Sequence, residues 1–95
     1  MNVKPMISTI INIDFKIGIH SRPAALIVKK VKEYENCRVT LSHNGKTCRA
    51  DSLIGLLQLG ITTGSQITLS VDGENEETVI KDMVSFINNE VAQEG

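Results

Sequence analysis

Tryptophan is missing from this chain of 95 residues, and the aromatic side chains are limited to Phe15, Tyr34 and Phe86. Its core therefore has to be aliphatic, and the stacking platforms that proteins use to hold single-stranded bases are excluded. Cysteine occurs only at Cys37 and Cys48, without the spacing or the histidine company of a zinc site, so both read as reduced thiols and no metal is expected. The opening stretch Met1-Asn2-Val3-Lys4-Pro5-Met6 has no basic region followed by an apolar run of signal length. No later apolar run approaches the roughly 20 residues of a membrane span. The cytoplasm is the expected compartment, with no membrane partner. The length fits one domain, residues 1–95, able to bury roughly 60–65% of its unfolded surface without staples.

An excess of one charge is lacking too, since the net is −1, yet the signs are segregated. Residues 1–49 hold nine of the ten basic side chains against Asp14, Glu33 and Glu35, a balance of +6, while residues 50–95 hold Lys81 against eight acids, a balance of −7. A protein partner with an acidic face would be steered toward the first half. A solvated charge distribution without function accounts for the asymmetry equally well.

What is present is a clear pattern of periods. Ile7, Thr9, Ile11, Ile13 and Phe15 alternate with Ser8, Asn12 and Asp14, which predicts a half-buried strand. From Ser21 to about Glu35, Ala24, Ile27, Val28, Val31 and Tyr34 recur at helical spacing opposite Lys29, Lys30, Lys32 and Glu33. Val39 and Leu41 begin a second strand, Asn44-Gly45 is a strong hairpin signal, and Lys46 to Ala50 forms the return with Cys48 and Ala50 on one side. Asp51-Ser52 offers an N-cap for a short helix ending at Gly60. Ile67, Leu69 and Val71 make a last strand, Asp72-Gly73 reads as a turn, and Glu74, Glu76 and Glu77 complement the dipole of a final helix carrying Val79, Ile80, Met83, Val84, Ile87 and Val91. The order predicts a two-layer α+β domain, an antiparallel sheet with one face covered by helices.

Gly18-Ile19-His20-Ser21-Arg22-Pro23-Ala24 places a histidine at the start of the first helix, with an arginine two residues on. Unpaired N–H groups and the positive end of the helix dipole favour an anion there, and Arg22 adds a guanidinium. Both disfavour the imidazolium, so His20 should stay neutral and nucleophilic. Pro23 fits a first turn that has no use for its missing N–H, although it biases Arg22 away from helical angles and leaves the cap open between His20 and Ser21. A capping histidine in an ordinary loop explains the isolated pattern as well.

Together with the Asn44-Gly45-Lys46-Thr47 hairpin, and with Ser52-Leu53-Ile54-Gly55 through Leu59-Gly60-Ile61, this motif resembles HPr, the histidine-containing phosphocarrier family of the sugar phosphotransferase system. The resemblance spans nearly the whole chain. It implies an HPr-like open-faced β-sandwich, four antiparallel strands with three helices on one face. His20 would carry phosphate on Nδ1, Arg22 would hold that phosphate, and Ser21, Pro23 and Ala24 would support it. Enzyme I would be the donor and sugar-specific enzyme IIA domains the acceptors, in carbohydrate uptake, with the chain acting as a carrier rather than an enzyme and needing no cofactor. Ser21 departs from the family's usual alanine, and the segment between Tyr34 and Val39 reads one residue longer than the family pattern.

Ser52 is explained by helix capping alone. In the family branch that this sequence resembles, the matching serine is phosphorylated by an ATP-dependent HPr kinase/phosphorylase, and a phosphate at a helix start is physically acceptable. Asp51 stands where that branch commonly has lysine, and its charge would oppose a phosphate. An alternative role follows, a regulatory HPr-like module that binds a catabolite-control transcription factor through phosphorylated Ser52. Leu53, Ile54, Leu56, Leu57 and Leu59 are more apolar side chains than so short a helix can bury on one face. Leu53, Ile54 and Leu57 are therefore expected outward as a docking patch, with Leu56 and Leu59 inward; a homo-oligomer interface is the competing explanation. His43, without an acid or a helix start beside it, reads as a surface histidine. A nucleic-acid partner is not expected, because Gly60-Ile61-Thr62-Thr63-Gly64 has the wrong spacing for a GXXG loop and lacks basic residues.

Overall fold

A computed structural model describes residues 7–13, 21–34 and 36–91. The elements run β1 (Ile7–Asn12), α1 (Ser21–Val31), β2 (Cys37–His43), β3 (Lys46–Arg49), α2 (Leu53–Gln58), β4 (Gln66–Gly73) and α3 (Glu76–Phe86), and α3 continues into a wider π-type turn over Ile87–Val91. The strands form one antiparallel sheet in the order β1-β4-β2-β3. Ile7 pairs with Val71, and Cys37 pairs with Gly73.

Strand alternation sorts the two faces. Ile11, Val39, Leu41, Ile67, Leu69 and Val71 point to the helical side and are buried with Ala24, Ile27, Leu56, Val79, Met83 and Ile87. The buried hydrophobic residues among those described are aliphatic or methionine, as the scarcity of aromatics requires. The opposite face is open and rich in hydroxyls. Ser8 and Ser70 meet there at 2.9 Å, as do Ser42 and Thr47 at 2.8 Å. The result is the four-stranded antiparallel open sheet with three helices that the sequence predicts.

Three boundaries differ from the sequence reading. The strand expected to reach Phe15 ends at Asn12, and Asp14 and Phe15 lie outside the described residues. Helix α1 stops at Val31 because the chain tightens into three-residue bonds, from Glu33 N–H to Lys30 O at 3.1 Å and from Tyr34 N–H to Val31 O at 3.0 Å. The turn expected at Asp72-Gly73 falls at Glu74-Asn75 instead. Gly73 remains in β4 opposite Cys37, and Asn75 takes the left-handed conformation that asparagine tolerates, with φ 57°, so Glu74 precedes α3.

Tyr34 ties the end of α1 to α3 by donating its hydroxyl hydrogen bond to Asp82. Lys30 Nζ lies 3.5 Å from Asp82, 3.4 Å from Glu33, and 5.6 Å from the ring centroids of both Tyr34 and Phe86. Burial, then the Asp82 carboxylate, holds the Tyr34 hydroxyl well above its ordinary 10.0. The Tyr34 hydrogen bond holds Asp82 below its ordinary 3.8, with Lys30 adding to that, against a smaller opposing effect of burial. The signs bound a window. The raised tyrosine contributes stability that begins to be lost as the pH climbs past 10.0, and the lowered aspartate contributes stability that is lost as the pH falls below 3.8. Tyr34 is the sole tyrosine and there is no tryptophan, so phenolate absorbance reads it directly. Its titration midpoint should lie above 10.0, and Asp82→Asn should lower it without restoring the ordinary value, because burial remains. A midpoint that Asp82→Asn leaves unmoved would refute the tie.

Candidate functional site

Helix α1 opens with Ser21 and Arg22 exposed, while Pro23 and Ala24 are buried. Pro23 is the third helical residue, within the turn whose N–H groups have no partner inside the helix. Its ring and the Ala24 methyl anchor the helix start in the core. That anchoring outweighs the bias against a helical residue before proline, so Arg22 sits in the first turn with its side chain toward solvent. His20 lies outside the described residues. Ser21 is already inside the helix, so it is not the cap.

Helix α2 starts as the sequence predicts. Ser52 has extended backbone angles, φ −110° and ψ 109°, and its Oγ accepts from Gly55 N–H at 3.1 Å. Gly60 takes over beyond the last turn with φ 66°, and Leu59 N–H donates to Leu56 O at 3.3 Å. Leu56 and Leu59 are buried, whereas Leu53, Ile54 and Leu57 are 40%, 68% and 41% exposed. The helix packs against α1 and β3. Gly55 makes the approach to β3 possible: a Cβ there would lie 3.0 Å from both Cys48 Cβ and Ser52 Oγ. The Cys48 Cβ and the Ser52 hydroxyl thus both border the space that Gly55 leaves open, and burial pushes the half-buried Cys48 thiol's ionisation up.

His43 corrects the sequence reading. It is buried at 9% exposure, continuing the inward row of Val39 and Leu41, and its Nδ1 lies 2.8 Å from Leu59 O. A carbonyl only accepts, so Nδ1 carries the proton and the imidazole satisfies one of the last carbonyls of α2. Arg49 was not singled out by the sequence either. Its Nε and Nη2 donate to the two carboxylate oxygens of Asp51 at 3.2 and 3.1 Å. Only the short spacing of opposite charges hinted at that pair. Substituting Ser52→Ala removes a cap and should cost about 1 kcal/mol, read as a lower thermal midpoint; an unchanged midpoint would mean that the hydroxyl is idle in the folded state.

No cluster of three or more metal-ligating side chains occurs among the described residues, and none of their helices is long and apolar enough to cross a membrane. An exposed arginine in a proline-anchored first turn, beside a second capped helix with outward leucines, is an arrangement suited to protein docking and anion handling. Residues 7–89 match the family model described as the PTS HPr component phosphorylation site. The chain belongs to the HPr family. Among HPr relatives, the HPr-like protein Crh of Bacillus subtilis is 31% identical over 90% of this chain and 100% of its own length. Phosphocarrier protein HPr of Haemophilus influenzae is 39% identical over 74% of this chain and 81% of its own. The crystal structure of a phosphocarrier protein HPr from Bacillus anthracis superposes with a TM-score of 0.79 at 30% identity, covering 85% of this chain and 95% of that one. HPr membership makes the chain a member of a phosphocarrier family and places its partners within the phosphotransferase system in general terms.

Proposed function

We propose that this chain acts as a single-domain cytoplasmic phosphoryl carrier in carbohydrate uptake, with His20 as its acceptor. The observation that carries the reading is Arg22, exposed in the first turn of α1 two residues after His20, inside the segment matched by the HPr phosphorylation-site model. Phosphoryl transfer asks little covalent work of a protein; it needs an in-line nucleophile and positive groups around the equatorial oxygens. A neutral imidazole nitrogen of His20 bonds to phosphorus as the phosphorus bond to enzyme I breaks, and the new P–N bond breaks in turn when an enzyme IIA domain accepts the group. Arg22 and the helix-start amides offset the phosphate charge. Leu53, Ile54 and Leu57 supply an apolar docking patch for both partners.

The test is incubation with phosphoenolpyruvate and enzyme I. The expected product is an acid-labile, base-stable phosphoprotein whose label passes to an enzyme IIA domain. A chain that stays unlabelled, or a label that survives acid, overturns the reading.

A second role is favoured by Ser52, whose Oγ already sits at a helix start, and by the likeness to Crh, described in its solution structure as the Bacillus subtilis catabolite repression HPr. Phosphorylation of Ser52 by an ATP-dependent HPr kinase/phosphorylase would add charge beside the docking patch and recruit a catabolite-control transcription factor. Ser52→Ala should then abolish that binding while His20→Ala leaves it intact.

A further inference from the structure

We propose that Arg49 is a positioning residue for phosphorylation of Ser52, the counter-ion that makes the site workable beside a carboxylate. The inference rests on the Ser52 reading above. A phosphate dianion built next to an unpaired Asp51 would feel its charge well inside the screening length of about 8–10 Å. In this fold the carboxylate is paired. Arg49 grips both of its oxygens, at 3.2 and 3.1 Å, and a backbone bond of 3.1 Å from Ser52 N–H to Arg49 O closes the tight turn that holds Arg49, Asp51 and Ser52 together.

The Arg49 side chain is 62% exposed and that of Asp51 31%. A guanidinium carries five N–H donors, of which a pair with one carboxylate uses two. The fork is therefore held in place by Asp51 while its outer edge remains open to a second anion, a geometry that a lysine's single ammonium does not offer. The cation that the regulated branch commonly carries directly before the serine is thus supplied three residues before it, with Asp51 as its holder.

In the reaction, Ser52 Oγ bonds to the γ-phosphorus of ATP as the bond from that phosphorus to ADP breaks, and the hydroxyl proton leaves to a base on the kinase. The pair of Arg49 and Asp51 starts neutral and the product adds about two negative charges, so the guanidinium is shared between carboxylate and phosphate. A phosphate oxygen can replace the hydroxyl as acceptor for Gly55 N–H at the helix start.

The experiment compares the parent chain with Arg49→Gln, Arg49→Lys, Asp51→Asn and the Arg49→Gln/Asp51→Asn pair, using ATP and purified HPr kinase/phosphorylase, with Ser52→Ala as the blank. Arg49→Gln should lower kcat/KM about fivefold, as expected for loss of a partly exposed charge pair, and Arg49→Lys should fall between it and the parent. Asp51→Asn should not lower it, and the double variant should lie between Arg49→Gln and Asp51→Asn, since it relieves the carboxylate's repulsion but still lacks the guanidinium that the phosphate shares. Phosphorus NMR of the phosphorylated chains supplies the readout that a merely structural arginine would not move: the phosphoserine should titrate at higher pH in Arg49→Gln than in the parent, because the guanidinium favours the dianion. Phosphorylation of Arg49→Gln at the parent rate, or an unmoved titration, overturns the inference while leaving the Ser52 reading intact. An absence of phosphate on Ser52 of the parent overturns both.

Discussion

His20→Ala should take up no phosphate from enzyme I under conditions that label the parent chain fully, a loss of at least about 1,000-fold, as is typical when the atom that forms the covalent bond is deleted. The experiment is clean because the only other histidine cannot stand in. His43 is 9% exposed and its Nδ1 is committed to Leu59 O at 2.8 Å, so reaction at Nδ1 would require that carbonyl to be released, and reaction at Nε2 would require the buried ring to turn out to a partner. Arg22→Ala separates the nucleophile from its helper. It should still be labelled, and more slowly by about 10- to 100-fold, because a hydrogen bond to a charged group is worth about 1.5–3 kcal/mol and each 1.36 kcal/mol is tenfold in rate. Label on His20→Ala equal to that on the parent would move the phosphoryl site elsewhere.

What the sequence disclosed, and what it concealed, divides by range. Local periods carried the elements: Val39 and Leu41 in alternation, Ala24, Ile27 and Val31 at helical spacing, and Asn44-Gly45, which takes φ 53° and 80° in the two-residue hairpin joining His43 to its partner Lys46. The arithmetic of α2 also held, because a six-residue helix has room to bury only part of so many aliphatic side chains, and Leu56 and Leu59 took the inner places. His43 was legible in principle. It continues the inward alternation of β2, but its neighbours at the hairpin tip suggested a surface, and the carbonyl that draws it inward belongs to Leu59, sixteen residues on. The tie between Tyr34 and Asp82 spans 48 residues and leaves no local pattern at all. At the candidate site, the placement of Arg22 and Ser52 at helix starts was legible from local signals, Pro23 in one case and the Asp51-Ser52 cap in the other. The pairing of Arg49 with Asp51 depends on the turn closed by Ser52 N–H, which brings charges together that the linear order only sets near one another.

Gly73→Ala should be the most destabilising single methyl that this chain can receive at a glycine for which the surroundings are described. Asp72-Gly73 looked like a turn, but the glycine serves a close approach between strands. At φ 143° it faces β2 so tightly that a Cβ would lie 2.2 Å from Asn36 O, 2.8 Å from Cys37 Cα and 3.1 Å from Asn36 C. Those are backbone atoms, which cannot swing aside as a flexible side chain would. Relief requires the end of β4 to separate from β2, giving up the Cys37 pairing, the 3.2 Å bond from Glu74 N–H to Asn36 O and the 2.6 Å contact of Cys37 Sγ with Glu74 O. Backbone strain of about 1–3 kcal/mol and overpacking of a similar size together give about 2–6 kcal/mol, a large share of the roughly 5–15 kcal/mol that holds a domain together. At about 4–8 °C per kcal/mol in a domain of this size, the thermal midpoint followed by circular dichroism should fall by at least about 8 °C. Gly60→Ala is the control for an open position, because its φ of 66° lies in the left-handed region that alanine enters at a modest cost and no atom lies within 4 Å of the added carbon. It isolates backbone strain and should cost only about 1–2 kcal/mol. If the two variants melt together, the packing of β4 against the Asn36-Cys37 backbone is not what fixes Gly73.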